Sequence, residues 1–132
     1  MTFKLSKKSL EHLNEVHPDL QKLVHRTIQI TPVDFGIVDG LRTVNQQKEN
    51  VAKGASQTMR SRHLTGHAVD FGAYVGSEYK NGDTQEEYKL YEQIAEAFKK
   101  ASLELDIPII WGGDWKTLKD GGHIELDRRR YP

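Results

Sequence analysis

The segment Ser61-Arg62-His63-Leu64-Thr65-Gly66-His67-Ala68-Val69-Asp70-Phe71-Gly72-Ala73-Tyr74 changes character half-way along. Its first half carries His63 and His67 at the spacing of a helical metal motif. Thr65-Gly66 is poor helix, however, and Leu64 stands where that motif has Glu, so the helical reading is set aside. His67 is left as a neighbour of the site or a substrate contact. The second half alternates as a strand does. Val69, Phe71 and Ala73 share one face, and Ala68, Asp70 and Gly72 share the other. A carboxylate inside a strand, on the face away from Phe71, is tolerated when it is paired or metal-bound.

Working outward, Leu10, Leu13 and Val16 fall at helical spacing behind Ser6 or Ser9 as cap. Pro18 opens a second helix with the stripe Leu20, Leu23, Val24, Thr27 and Ile28, and Pro32 ends it. Phe35 to Asp39 reads as a short strand closed by Gly40. Val44 to Lys53 is helix-compatible with Gly54 as its stop, and a Ser-rich loop is expected from Ala55 to Arg62. Downstream, Asn81-Gly82 marks a turn, and Thr84 with Glu87 resembles a capping box. The longest helix follows, with the stripe Tyr88, Tyr91, Ile94, Ala95, Phe98, Ala101, Leu105. Ile107 to Trp111 and His123 to Leu126 read as strands around a Gly-rich loop from Gly112 to Gly122. Helices first, then short strands with one long helix, predict a single α+β domain over residues 1–132, without repeat, linker or second domain.

Bulk properties narrow the function. The chain has 132 residues, which suits one modest core; 36% are apolar and 29% charged, as in ordinary globular proteins. Its 19 basic residues balance 19 acidic ones, which argues against non-specific nucleic-acid binding. With no cysteine, any metal must be held by His, Asp or Glu. Met1 to Lys8 lacks an apolar run of signal-peptide length, and no stretch approaches the ~20 apolar residues of a membrane span. Synthesis in the cytoplasm, with no stable membrane association, is the expectation.

His63, Asp70 and His123 are candidate metal ligands. Two imidazoles and a carboxylate suit one Zn²⁺ per chain and leave a fourth position open, as catalytic sites do. Non-haem iron oxygenases use the same donors, but there His and carboxylate lie one residue apart, not seven as here. Asp120 stands three residues before His123 across Gly121-Gly122, within reach of an attacking water without being a ligand. That is the place of a general base, a role worth roughly 10²–10⁴ in rate. Arg42, between a strand and a helix, is either a surface residue or a bidentate clamp for a substrate carboxylate. Trp111 and Trp115 flank Gly112-Gly113-Asp114, one expected in the core and one against the site; Trp115 is counted among the substrate-binding candidates. Arg128-Arg129-Arg130 reads as a solvated tail.

Ser61-x-His63-x-x-Gly66-x-Ala68-x-Asp70 followed by Asp120-x-x-His123 resembles the signature of the D-Ala-D-Ala carboxypeptidase and L-alanyl-D-glutamate endopeptidase family of zinc peptidases. Phe3-Lys4-Leu5-Ser6, Pro18-Asp19-Leu20-Gln21, Val38-x-Gly40-x-Arg42-Thr43 and Trp111-Gly112-Gly113-Asp114-Trp115 are similar to its short single-domain phage endolysins. The resemblance covers nearly the whole chain. It implies the fold shared with the hedgehog domain, a small domain with a central antiparallel sheet and packed helices. It implies zinc on His63, Asp70 and His123, Asp120 as acid/base, Arg42 orienting substrate or steadying the oxyanion, and Gln46 and Ser61 near the site. Many members have Glu where this chain has Asp120. The implied substrate is the peptidoglycan stem peptide, cut at L-alanyl-D-glutamate by a monomer without a cell-wall-binding domain, released to the periplasmic wall during lysis. The same fold also accommodates D-Ala-D-Ala carboxypeptidases and non-catalytic zinc-binding modules; intact Asp120 and Arg42 argue against the latter.

Overall fold

The computed structural model describes residues 2–54, 61–117 and 119–132. The chain begins with two helices, α1 (Lys7–Leu13) and α2 (Pro18–Ile30). Ser6 caps α1 by accepting from the Ser9 N–H, and Pro18 sits in the first turn of α2, where its missing N–H leaves nothing unpaired. Strand β1 (Asp34–Asp39) leads to α3 (Val44–Ala52) and a short 3-10 helix over Arg62–Thr65. Strands β2 (Ala68–Val75) and β3 (Glu78–Lys80) precede the long α4 (Gln85–Leu105). Strand β4 (Ile109–Trp111), a 3-10 turn at Gly112–Asp114 and β5 (His123–Leu126) complete the chain.

The strands form one antiparallel sheet in the order β1-β2-β5-β4, with β3 paired to β2. This is the α+β class that the sequence predicts, with the central antiparallel sheet that the family resemblance implies. Three details differ from expectation. Strand β3 was not foreseen; Gly76 takes positive φ (64°) in the two-residue turn that closes the β2–β3 hairpin. Thr84 does cap α4 through the Glu87 N–H, but the Glu87 carboxylate accepts from the Gly82 N–H, so the reciprocal half of a capping box is missing. The Ser-rich loop expected from Ala55 lies outside the described residues up to position 60.

One face of the sheet is buried. Val69, Phe71 and Ala73 of β2, Phe35 and Ile37 of β1, and Ile124 and Leu126 of β5 meet Leu20, Leu23 and Val24 of α2 and Tyr91, Ile94 and Phe98 of α4. Phe71 lies at the centre, with ring centroids 5.4 Å from Phe98 and Tyr91 and 6.0 Å from Phe35. At the free edge of β1, the Ser9 hydroxyl accepts from the Ile37 N–H at 2.9 Å. Alternation along β2 and β5 therefore sends Asp70, His123 and Glu125 to the other face, which carries the site.

Candidate active site

Asp70 and His123 are direct register partners on β2 and β5, so the two strands hold them side by side. His63 reaches them from the 3-10 helix before β2. Ser61 caps that helix by accepting from the His63 N–H at 3.2 Å, and Gly66 ends it in the left-handed region (φ 73°). Two further bonds stitch this segment to the end of β1. The Arg42 N–H donates to the His63 carbonyl at 2.9 Å, and His63 Nδ1 lies 2.8 Å from the Gly40 carbonyl oxygen.

The result is a convergent cluster. Asp70 Oδ1 lies 3.2 Å from His63 Nε2 and 3.1 Å from His123 Nδ1. The donor atoms of His63, Asp70 and His123 all fall within 4.8 Å of one another, so the three are able to hold a metal ion. Two imidazoles and a carboxylate, with the two rings buried and the Asp70 side chain still 24% exposed, fit a cation approached from the open side. The electrostatics are mutual. Burial pushes the Asp70 carboxyl upward, but hydrogen bonds from His123 and His63 more than reverse it and hold Asp70 well below the usual carboxylate range. Burial likewise pushes His123 down, while hydrogen bonds to Asp70 and Glu125 outweigh it and raise its pKa to about 9.

Asp120 approaches along the loop after β4. Its N–H donates to the Gly112 carbonyl at 3.1 Å, its own carbonyl accepts from the His123 N–H at 3.2 Å, and its Oδ1 accepts from the Gly122 N–H at 3.3 Å. A Cβ at Gly112 would collide with the Asp120 carbonyl oxygen and crowd the Cβ of His123, so only glycine lets the loop close on the site. Although Asp120 keeps contact with solvent, the surrounding walls withdraw water and raise its pKa. The nearby Asp70 charge adds to this, and His123, the Gly122 N–H and His63 oppose it.

The other predicted residues separate. Arg42 reaches the site but is held: Nη1 donates to Gln47 Oε1 at 2.6 Å, Nη2 donates to Asp39 Oδ2 at 2.5 Å, and Nη2 lies 3.8 Å from Asp70 Oδ2. Gln46 is placed elsewhere. It completes the capping box of α3, with its Oε1 accepting from the Thr43 N–H, and it is exposed. Trp115 stacks obliquely over His123, with centroids 5.0 Å apart, whereas Trp111 is buried in the core and donates from Nε1 to the Gly121 carbonyl. His67 turns away toward His17 and hydrogen-bonds Thr65. The arginine tail is less free than predicted: Arg129 pairs with Asp127 at 2.6 Å, and Arg130 reaches Asp106. Three residues near the site were not anticipated: Asp39, Gln47 and Glu125. Glu125 had a signal, since residues two apart on a strand share a face and His123-x-Glu125 sets a carboxylate beside the imidazole.

Comparison with known proteins agrees with this geometry. Residues 1–130 match the family described as phage L-alanyl-D-glutamate peptidase. The chain belongs to that family. It is 36% identical to the L-alanyl-D-glutamate peptidase of Escherichia phage T5, over 96% of this chain and 99% of the relative. It is 31% identical to the L-alanyl-D-glutamate peptidase of Listeria phage A118, over 99% of this chain but only 45% of that longer protein. The solved structure of the L-Ala D-Glu endopeptidase ChiX from Serratia marcescens superposes with a TM-score of 0.87 at 43% identity, covering 98% of this chain and 94% of that one. The fold of this phage-type L-alanyl-D-glutamate peptidase family member is thus that of a solved endopeptidase.

Proposed function

We propose that this peptidase-family chain is a zinc-dependent endopeptidase that hydrolyses the L-alanyl–D-glutamate bond of peptidoglycan stem peptides, and that it serves as a phage endolysin. Residues 1–132 act as one catalytic domain in this reading. The observation that carries it is the His63–Asp70–His123 cluster with Asp120 held beside it on the open face of the sheet.

His63 through Nε2, His123 through Nδ1 and Asp70 through its carboxylate would hold the zinc. A zinc ion bound there supplies Lewis acidity to the scissile carbonyl and acidifies the attacking water. The rest falls to the protein. The Asp120 carboxylate takes a proton from water as the new C–O bond forms, then gives it to the departing amine nitrogen of D-glutamate as the C–N bond breaks. Its raised pKa makes it a stronger base for the first half, while its conjugate acid remains far more acidic than the ammonium it forms in the second. Arg42 places positive charge beside Asp70, and in this reading the guanidinium hydrogens not taken by Gln47 and Asp39 would steady a substrate carboxylate or the developing oxyanion. Trp115 forms the wall over His123.

No helix among the described residues is long and apolar enough to cross a membrane. In the endolysin reading, the chain would reach the wall from the cytoplasm through a pore supplied by another protein. Digestion of purified Gram-negative sacculi, with and without a chelator, tests the reading by mass spectrometry. New L-alanine carboxyl and D-glutamate amino ends that disappear with chelator are expected. Release of terminal D-alanine would reassign the bond, and the absence of any metal-dependent product would leave a binding module.

A further inference from the structure

Glu125 has no part in the chemistry derived so far, yet it is a carboxylate with only 7% of its surface exposed. Such a group is costly to bury unless it is hydrogen-bonded. Arginine charge lies near it, with the Arg128 Nε 3.8 Å away on a side chain 57% exposed and the buried Arg62 within electrostatic range. The short contact is with His123, whose Nε2 lies 2.9 Å from Glu125 Oε1. Both residues project from the same face of β5, and Glu125 pairs in register with Ala68 of β2, two residues before Asp70. The backbone that fixes Asp70 against His123 therefore also fixes Glu125 behind it.

An ionised carboxylate only accepts hydrogen bonds. Nε2 of His123 must then carry its hydrogen, so that when Nδ1 gives up the hydrogen it donates to Asp70, its lone pair is free for a cation bound beside that carboxylate. His63 is mounted the opposite way round: the Gly40 carbonyl accepts at Nδ1, and Nε2 faces Asp70. Each imidazole thus has its tautomer set by an acceptor at its back, but only His123 has a charged one.

We propose that Glu125 is a positioning residue that locks His123 as the Nε2–H tautomer with Nδ1 turned to the metal position, and that its charge strengthens that nitrogen as a donor. The proposal rests on the zinc reading above. Carboxylates behind ligating histidines orient the ring and raise its basicity, and losing one typically weakens metal binding by about 10–100-fold.

The test uses the full chain, stripped of metal and titrated with zinc against a chromophoric competitor at fixed pH. Nitrogen-15 imidazole spectra of the zinc-loaded protein report the His123 tautomer. Wild type should bind one zinc and show Nε2–H. Glu125→Ala should bind about 10–100-fold more weakly with a redistributed ring signal. Glu125→Gln keeps an acceptor oxygen but no charge, and should fall between. A Glu125→Ala protein with wild-type zinc affinity and tautomer overturns the proposal, even if its melting temperature drops, because a packing role alone moves only the latter. Should that variant not fold, Glu125→Gln decides: wild-type affinity and ring signal overturn the idea. Wild-type protein that takes up no zinc would remove the zinc reading itself, whereas tight wild-type binding with unaffected variants removes only the role of Glu125.

Discussion

On the proposed reading, Asp120 is the residue on which metal holding and proton transfer come apart. Its carboxylate accepts from the Gly122 N–H and its bond to His123 is backbone to backbone, so the carboxylate can be altered without touching the ligand side chains. Asp120→Asn keeps the shape and the acceptor for the Gly122 N–H but removes the base. It should leave zinc affinity within a few-fold and lower kcat by about 10²–10⁴. Paired zinc titration and muropeptide turnover check both halves, and loss of zinc would make Asp120 a ligand. At this scale the sequence was legible where chemistry imposes spacing: a carboxylate inside an apolar strand, and a histidine behind Gly-Gly. It was illegible where two similar neighbours divide the work. Gln46 and Gln47 look equivalent on paper, yet position three of α3 is taken by the cap, and helical rotation turns the next residue inward to Arg42.

At the scale of elements, the site depends on how closely the loop after β4 approaches β5. Gly112→Ala inserts a methyl group against the Asp120 carbonyl and His123. The loop must shift to admit it, and displacements of about 1 Å in a catalytic group can cost about 10²-fold in rate. A loss of kcat of that order is expected, with zinc retained; full activity in the variant would show that the loop tolerates displacement. A second element-level dependence runs through the edge of the sheet. Ser9→Ala leaves the buried Ile37 N–H without its acceptor, which should lower stability by about 1–3 kcal/mol in denaturant unfolding. The helices were readable because caps and apolar stripes are local signals: Ser6, Thr43 and Thr84 each accept from the N–H three residues on. Strand β3 was missed because three largely exposed residues carry no apolar pattern, although Gly76-Ser77 is itself a two-residue hairpin signal. The 3-10 helix at Arg62–Thr65 has no periodicity to read; contacts from Gly40 and Arg42 to His63 accompany it.

Across the whole molecule, two of the three residues able to hold a metal, His123 and Asp70, also couple folding to pH. In protein stripped of metal, His123 is raised from 6.5 to about 9 by Asp70 and Glu125, against the opposing effect of burial. A group whose pKa is higher folded than unfolded stabilises fully below its unfolded value, and that stabilisation is lost as pH rises through the folded one. Asp70 runs the other way: depressed below 3.8 when folded, it stabilises above that value and ceases to do so as acid protonates it. The metal-free protein should therefore lose stability from about pH 6.5 to pH 9. On the proposed reading, zinc would reverse the trend, because it would compete with the proton for His123 Nδ1 and bind more tightly as that proton leaves. Zinc at a free concentration of 100 times its Kd adds about 2.7 kcal/mol, and the ratio itself grows with pH. Melting curves of chelated and zinc-loaded protein should thus separate progressively across this window. Curves that stay parallel would mean that no proton is displaced from His123 on loading, which would exclude it as a ligand in the form described here.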